Sequence, residues 1–330
     1  MPCVYENAFQ ETDRFLAITL HSLSSIELPV HIFGQYLIHY KTPKSMASVK
    51  WIICQLHAVC AFFDLYCTLL ISLYIWIPSP AGYPVGLLNY FGLSSTVQIY
   101  GGCYSLLAVG FSCIIFFENR YDVIVIGRMR RSENRNRNRL IYFFAYFLYC
   151  SASFTYIFAH FPTPDEGRIH VRKAQPCIPT EWINNPNFFI MNMTRTEVVV
   201  LTASMFVLFV IQCAYFVFFT VYRLFSDVGN LSVTTRKLQW KFFLALVIQT
   251  TVPLIGIASP LLYYLIAWKI RYYNQKYNNY AMITTGFNGL LTTIVMILVH
   301  QPYRQAVVAM LTTRTEHRSR IRPTTIAFSE

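Results

Sequence analysis

Charged residues are scarce in this chain, and their scarcity argues against a soluble fold. Only 13% of the 330 residues are charged, whereas 55% are hydrophobic and 17% are aromatic. A soluble domain carries about a quarter charged residues. So little charge among so much apolar surface is typical of a protein that lies in a lipid bilayer. The net charge of +12 does not indicate a nucleic-acid partner, because the basic residues lie between apolar runs.

Catalytic and metal-binding motifs are also missing. The nine cysteines show no paired CxxC spacing, so the sequence predicts neither a zinc site nor a redox site. No HExxH, Gly-x-Ser-x-Gly or phosphate-binding loop occurs, and we therefore predict no enzymatic activity and no cofactor. Residues 1–14 lack the basic segment that opens a cleavable signal peptide. We expect the first span to act as an uncleaved anchor.

Seven apolar runs are long enough to cross a bilayer, which takes about 20 residues each. They are Phe15–Tyr40, Trp51–Ile77, Val97–Phe117, Leu140–His160, Val198–Tyr222, Phe242–Trp268 and Met282–His300. We predict an all-α membrane protein with one seven-helix bundle over residues 15–300. The last five runs contain no Asp, Glu, Lys or Arg, which argues against the alternative of a transporter or ligand-gated channel with an ion relay.

The distribution of basic residues predicts the orientation of the bundle. Of the 27 Lys and Arg residues, 19 lie in the connections on one side and in the segment after the seventh run, and eight lie on the other side. Cytoplasmic loops carry the excess of Lys and Arg. We therefore expect residues 1–14 outside the cell and residues 301–330 inside it, opposite to the inverted seven-span channels of insects.

The segment after the seventh run is predicted to lie along the inner membrane surface. An apolar stripe at helical spacing covers Tyr303, Ala306, Val307, Met310 and Leu311. This spacing favours a short amphipathic helix over residues 301–311. The remaining residues 312–330 are rich in arginine, serine and threonine, and we expect a disordered cytoplasmic tail that is attracted to anionic inner-leaflet lipids.

Four stretches of the sequence resemble one known receptor family. Thr42-Pro43-Lys44, with Met46 and Val49-Lys50-Trp51, is similar to the start of the second span in nematode serpentine chemoreceptors of class H. Phe117-Glu118-Asn119-Arg120-Tyr121 resembles the FENRY motif of the same class. Pro176-Cys177-Ile178-Pro179 resembles its second outer loop, and Gly286–Arg304 resembles its seventh span and tail junction. These matches occur in the family's order over most of the chain.

The resemblance implies a G-protein-coupled receptor of chemosensory neurons. Such a receptor would bind a small-molecule cue in the outer half of the bundle and activate a heterotrimeric G protein at the inner end. The family also implies a plasma-membrane location, in a sensory cilium. Glu118, Arg120 and Tyr121 are the candidate coupling residues, and anchoring of the helix end at lipid headgroups is the alternative. Because Asn119 separates Glu118 from Arg120, the two side chains point apart on a helix and Arg120 is expected to use another partner.

Polar residues inside the spans predict buried sites in the bundle. Asp64 lies midway along the second run, and a carboxylate at that depth is expected to face the bundle, with His57 two turns before it. Its position resembles that of the sodium-binding aspartate of rhodopsin-like receptors, but we favour a structural contact with Asn288. Glu27 and His31 are predicted to form a similar buried pair in the first run.

Three further features are candidates for modification or motion. Cys177 suggests the disulfide that tethers the second outer loop of many receptors to the third helix, with Cys103 as its partner and Cys3 as the rival. Asn192 opens an Asn-Met-Thr sequon for N-glycosylation on the predicted outer side. Pro253 and Pro260 are candidate hinges of the sixth span, with static bends as the alternative.

Overall fold

Seven long apolar helices form the body of the protein. The computed structural model describes residues 8–126, 134–191, 195–226 and 233–320. The helices are α1 (Asp13–Lys41), α2 (Ala47–Leu65), α3 (Ser95–Ile124), α4 (Arg135–Ala159), α5 (Pro164–Ala174), α6 (Thr180–Ile183), α7 (Thr196–Ser226), α8 (Val233–Lys269), α9 (Gln275–Val299) and α10 (Gln301–Arg320). Helices α1–α4 and α7–α9 are long and apolar enough to cross a membrane, α2 together with the π-helical turn that continues it. The prediction of a seven-helix membrane protein is confirmed.

Polar side chains cap the first turns of three spanning helices. The hydroxyl of Thr12 accepts a hydrogen bond from the backbone N–H of Phe15 at 3.1 Å and begins α1. Ser94 caps α3 in the same way, and the side chain of Asn274 accepts from Tyr277 at 3.2 Å at the start of α9. Such caps satisfy backbone donors that have no partner within the helix. α1 and α3 start two residues before the predicted apolar runs, at Asp13 and Ser95, and α9 starts seven residues before its run, at Gln275.

The second span is shorter than predicted. α2 continues as a π-helical turn over Tyr66–Ile71, and the chain then reverses at Ser72, whose φ is +40°. Residues 73–76, which we assigned to the second helix, form strand β1. Their run Leu-Tyr-Ile-Trp is apolar throughout, so hydropathy alone does not separate this strand from the end of a helix.

A small antiparallel sheet covers one end of the bundle. Its strands are β1 (Leu73–Trp76), β2 (Ala81–Pro84) and β3 (Phe189–Ile190), in the order β1-β2-β3. Gly82 is needed in this sheet, because an added Cβ would lie 1.9 Å from the carbonyl oxygen of Tyr74. We call this end of the bundle the sheet end. The protein is mostly helical, as predicted, and this small sheet is a feature that the sequence analysis did not predict.

Buried amides of α9 fasten the sheet to the bundle. Gln275 Nε2 donates to the carbonyl oxygen of Ile75 at 3.2 Å, and Asn278 Nδ2 donates to that of Ile77 at 3.3 Å. Beneath the sheet, Trp76 and Tyr74 are fully buried. Their rings pack against each other and against the ring of Trp182 in α6. Backbone groups at this end are thus hydrogen-bonded within the protein, as burial requires.

Packing of helix against helix holds the remainder of the bundle. α8 packs along α9, α2 along α3, and α3 along α7, while α1 contacts both α2 and α9. A cluster around Ile38, Ile53, Ile114 and Phe116 fills the half of the bundle away from the sheet. Lipid chains are as apolar as these side chains, so close packing and interhelical hydrogen bonds stabilise the association of the helices. Arg120 lies near the end of α3 in this half of the bundle, and we call this second end the Arg120 end.

Candidate functional site

Two acidic residues of α3 and two arginines of α4 form an ion-pair cluster at the Arg120 end. Nη2 of Arg135 lies 3.0 Å from Oε1 of Glu118, and Nη2 of Arg139 lies 2.5 Å from Oε2 of the same carboxylate. Nε of Arg135 donates to Oδ1 of Asp122 at 3.0 Å. Both acids and both arginines are spaced one helical turn apart, so each pair presents one face to the other. We call these four residues the α3–α4 ion-pair cluster.

Arg120 lies on a different face of α3 from this cluster. Its side chain is only 6% exposed, and Nη2 donates to the side-chain oxygen of Asn119 at 3.1 Å. The rings of the neighbouring Tyr121 and of Phe216 on α7 lie 5.6 Å apart between centroids. The carboxylate of Glu118 is bonded to α4. The sequence prediction that Glu118 and Arg120 point apart agrees with this arrangement.

The substitution Glu118→Gln tests whether Glu118 holds α4 against α3 or restrains Arg120. The carboxylate is 3% exposed and faces two arginines, so its neutralisation should lower the free energy of unfolding by roughly 1–3 kcal/mol, between the values for exposed and fully buried pairs. Thermal unfolding of the purified protein measures this loss. Any basal second-messenger signal per protein labelled at the cell surface should stay at the wild-type level.

A rise in basal signalling from Glu118→Gln would contradict this expectation, because it would mean that Glu118 restrains the neighbouring arginine. The matched control is Glu181→Gln, which neutralises an exposed glutamate of α6. It should leave both thermal unfolding and basal signalling unchanged.

The junction of α9 and α10 contacts α8 and the end of α1 at the Arg120 end. His300 and Gln249 of α8 are 2.8 Å apart between Nε2 and Oε1. Burial lowers the pKa of His300 to about 4, so the ring is neutral and donates from Nε2 at physiological pH. The hydroxyl of the fully buried Tyr303 lies 2.9 Å from that of Thr42, which follows α1. These contacts give His300 and Tyr303, two residues of the sequence resemblance, structural roles at the end of the bundle.

The amphipathic helix after the seventh span is present and longer than predicted. α10 begins at Gln301 and continues to Arg320, whereas the sequence analysis ended it at residue 311. Tyr303, Ala306, Val307 and Met310 pack against the bundle core, while Leu311 is 62% exposed. The predicted stripe is therefore the face by which α10 docks. Residues 321–330 of the predicted disordered tail lie outside the described residues.

The polar residues predicted inside the spans lie together in the middle of the bundle. Glu27, His57, Asp64 and Asn288 are each at most 4% exposed. Asp64 Oδ2 lies 3.7 Å from Nε2 of His31, and the hydroxyl of Thr68 donates to Glu27 at 3.0 Å. The helical pair that we expected between Glu27 and His31 is thus replaced by contacts from both residues to α2 and its π-helical extension.

A cavity of about 10 Å³, the size of one water molecule, lies beside Asp64. Its lining includes Asn288 and Thr292 of α9 and Ile257 of α8. Asp64 and Asn288 thus line the same small cavity, and the polar contact between them stays a prediction.

Glycines of α8 and α9 make room for the polar side chains. A Cβ added at Gly289 would lie 1.6 Å from Oδ2 of Asp64, and one added at Gly256 would lie 2.0 Å from Oδ1 of Asn288. A Cβ at Gly286 would lie 2.6 Å from Cγ2 of Thr68. The buried polar residues therefore rest directly on helix backbone.

The predicted disulfide between Cys103 and Cys177 is wrong. Cys103 is a free cysteine, whereas Cys177 is disulfide-bonded. Cys103 packs with Tyr66 and Ile99 below the sheet, and Ile178, which follows Cys177, packs in a separate cluster beneath the loop helices. A bridge needs Cα atoms within about 7 Å, and these two regions are distinct. Cys3, the rival partner, lies outside the described residues.

Two other predictions remain untested. Asn192, the predicted glycosylation site, lies outside the described residues. Pro253 and Pro260 both lie within α8, which the structure describes as one helix from Val233 to Lys269, and their role as hinges stays a prediction.

Sequence reasoning missed three members of the α3–α4 ion-pair cluster. Asp122 follows Glu118 by four residues, and Arg139 follows Arg135 by four. Both spacings place side chains on one helix face, so the sequence contained a signal from which the cluster could have been predicted. We assigned the arginines to a basic loop, because the apolar run begins only at Leu140.

Comparison with known proteins places the whole chain in one family. The model of the serpentine type 7TM GPCR chemoreceptor Srh family matches residues 11–313. Serpentine receptor class H-72 of Caenorhabditis elegans is 26% identical over 308 residues, which cover 92% of this chain and 87% of that receptor. The fold is similar to the crystal structure of squid rhodopsin, with a TM-score of 0.61 and 12% identity, covering 99% of this chain and 90% of the other. Because the family match spans nearly the entire sequence, the chain belongs to the Srh family of serpentine seven-transmembrane chemoreceptors.

Proposed function

We propose that the protein is a chemosensory receptor that binds a small-molecule cue in the half of the bundle near the sheet and activates a heterotrimeric G protein at the Arg120 end. The observation that carries the proposal is the placement of Arg120. It is an arginine 6% exposed at the end of α3, next to Tyr121, which packs on α7. The adjacent carboxylates are engaged by α4.

The α3–α4 ion-pair cluster supports different roles for neighbouring residues of α3. Glu118 and Asp122 fix α4 to α3, so these two helices act as a unit. Tyr121 contacts α7 through Tyr215 and Phe216, with ring centroids 5.9 and 5.6 Å apart. A planar guanidinium next to this contact can exchange partners when α7 or α8 moves and keep its charge throughout. Exchange of partners at a packed interface is how small shifts become discrete states.

The proposed location is the plasma membrane, and family membership supports a sensory cilium. The 19-to-8 division of basic residues supports an outside N-terminus, which makes the Arg120 end cytoplasmic. Exposed arginines at this end, Arg137 and Arg304, then face the inner leaflet. Their charge suits contact with anionic lipid headgroups.

An epitope test measures the orientation. A tag placed before residue 1 should stain on intact cells, and a tag after residue 330 should stain only after permeabilisation. A tag in the loop between α4 and α7 is the matched control and should follow the first. The reverse pattern would contradict the proposed receptor, because it would place Arg120 outside the cell.

A panel of volatile and water-soluble compounds, read with cAMP, cGMP and calcium reporters, tests the function. We expect a subset of compounds to give a saturable response in receptor-expressing cells that disappears when G-protein activation is blocked. A response that persists under the block and is carried by an ionic current would favour a ligand-gated channel instead.

A further inference from the structure

Hydrogen-bonding side chains from α1, α2 and α9 form a continuous row through the middle of the bundle. Gln35 Nε2 donates to the sulfur of Cys54 at 2.8 Å, and its carbonyl oxygen lies 2.9 Å from Nδ1 of His57. The hydroxyl of Thr293 lies 3.2 Å from Nε2 of His57 and 3.0 Å from Nδ1 of His31. Nε2 of His31 then faces Oδ2 of Asp64 across 3.7 Å.

The number of available hydrogens fixes the direction of each bond in this row. A carbonyl oxygen only accepts, so His57 donates from Nδ1 to Gln35 and, as a neutral ring, accepts at Nε2. Thr293 has one hydroxyl hydrogen, which it gives to His57. Its oxygen therefore accepts from Nδ1 of His31. In a neutral ring this leaves Nε2 of His31 without a hydrogen, as an acceptor that faces Asp64.

The carboxyl of Asp64 has no hydrogen-bond donor in the part of the chain that the structure describes. The residue is 2% exposed, and Oδ2 is buried without a hydrogen-bond partner. An ionised carboxylate in such a place would keep at most the one water that the adjoining cavity of about 10 Å³ has room for, and would lose the rest of its hydration. Protonation removes that cost and supplies the hydrogen that the bare nitrogen of His31 lacks.

We propose that Asp64 and His31 form a proton-binding site, in which a proton resides on the Asp64 carboxyl and is directed toward Nε2 of His31. The separation of 3.7 Å is longer than a hydrogen bond and too short for an intervening water. If α1 moved toward α2 by less than about 1 Å, Nε2 of His31 and Oδ2 of Asp64 would come within hydrogen-bond distance. The O–H bond of Asp64 would then break, an N–H bond would form on His31, and a neutral pair would become an ion pair with the same total charge.

Other titratable groups near the site have separate partners or are thiols. Glu27 accepts from Thr68 on the side of Asp64 toward the sheet end. His57 is bonded to Gln35 and Thr293. The titratable groups that face the pair are Glu27 from α1 and His57, Cys60 and Cys67 from α2 and its extension. The non-titrating neighbours are Val109 from α3, Ile257 from α8, and Asn288, Thr292 and Thr293 from α9.

The site links the proton to the arrangement of the helices. His31 belongs to α1, Asp64 to α2, and Thr293, which sets the tautomer of His31, to α9. A movement of α9 that withdraws the Thr293 hydroxyl would free His31 to exchange its nitrogens and would alter the pair. If the proposed receptor function holds, a change of receptor state is accompanied by relocation of this proton.

Infrared spectroscopy of the full-length receptor in lipid nanodiscs tests the proton site without any ligand. A protonated carboxyl absorbs separately from an ionised one. At about pH 7, far above the ordinary pKa of aspartate, we expect wild-type receptor to show a protonated-carboxyl band that Asp64→Asn removes. His31→Gln should shift this band, because the group that faces the proton changes. Glu27→Gln should leave in place the part of the absorption that Asp64→Asn removes, together with its shift. Any absorption that Glu27→Gln itself removes belongs to Glu27, whose Oε1 is also buried without a hydrogen-bond partner in the described residues.

Thr293→Val keeps every titratable group and provides a second route if a substitution at His31 does not fold. It removes the hydroxyl that orients the imidazole and should also shift the Asp64 band. Thr285→Val is the matched control, because this threonine of α9 donates only to its own helix, at 3.0 Å to Ala281. An Asp64→Asn spectrum that equals the wild type would overturn the proposal. So would a band that neither His31→Gln nor Thr293→Val shifts.

Discussion

Arg120→Ala should reach the cell surface and lose its cue-evoked response. If the guanidinium passes the ligand-bound state of the bundle to the G protein, its removal abolishes the coupling free energy between the two ends. Such coupling typically corresponds to about 5- to 150-fold in an equilibrium, and we expect a loss of second-messenger response in that range. The response is measured per receptor labelled at the surface, so that a change in folding or delivery does not enter.

Two companion variants sharpen this prediction. Arg120→Lys keeps the charge but loses the planar fork, and should signal nearly as poorly as Arg120→Ala. Arg137→Ala removes an exposed arginine of α4 that lies near the same end, and should respond as wild type. A normal response per surface receptor from Arg120→Ala would exclude this residue from coupling. Full function in Arg120→Lys with loss of surface receptor in Arg120→Ala would favour headgroup anchoring.

The helices could be read from the sequence because lipid imposes a simple rule. A segment that crosses hydrocarbon must satisfy its own backbone and present apolar side chains, so length and hydropathy reveal it. The rule fails where the apolar run leaves the membrane. Residues 73–76 are as apolar as a helix, but their backbone bonds to residues 81–84 and the rings of Tyr74 and Trp76 pack against Trp182. The contact with Trp182 depends on a loop that is distant in sequence.

The same distinction separates the parts of the site that were predictable from those that were not. Spacing along one helix placed Glu118 and Arg120 on different faces and put His57 and Asp64 on one side of α2. It could not identify the partners, because those lie far away in sequence. Arg139 is 21 residues from Glu118, and Thr293 is 262 residues from His31. Only the packed bundle brings such groups to bonding distance.

Gly289→Ala is expected to destabilise the bundle, in contrast to the usual effect of alanine in a helix. Alanine normally gains about 1 kcal/mol over glycine in a helix interior. At Gly289 the new methyl carbon would lie 1.6 Å from Oδ2 of Asp64, 1.9 Å from Cγ and 2.7 Å from Cβ. Because even Cβ is too close, a new rotamer of Asp64 does not relieve the overlap and α9 must move from α2. Overpacking of this kind costs about 1–3 kcal/mol or more, which exceeds the helix gain.

Surface delivery and thermal unfolding measure this effect against a control in α3. Gly102→Ala places its methyl carbon 3.4 Å from the Tyr66 ring, an ordinary contact, and should be neutral or slightly stabilising. The double variant Gly289→Ala, Asp64→Ala removes the carboxyl that the methyl overlaps, and leaves only Cβ to accommodate. It should recover part of the delivery that Gly289→Ala loses, because the remaining overlap, 2.7 Å between the two Cβ atoms, is milder than the overlap with the carboxyl. Only residues in contact produce such non-additivity. Equal losses from Gly289→Ala with and without Asp64 would show that the glycine is required for another reason.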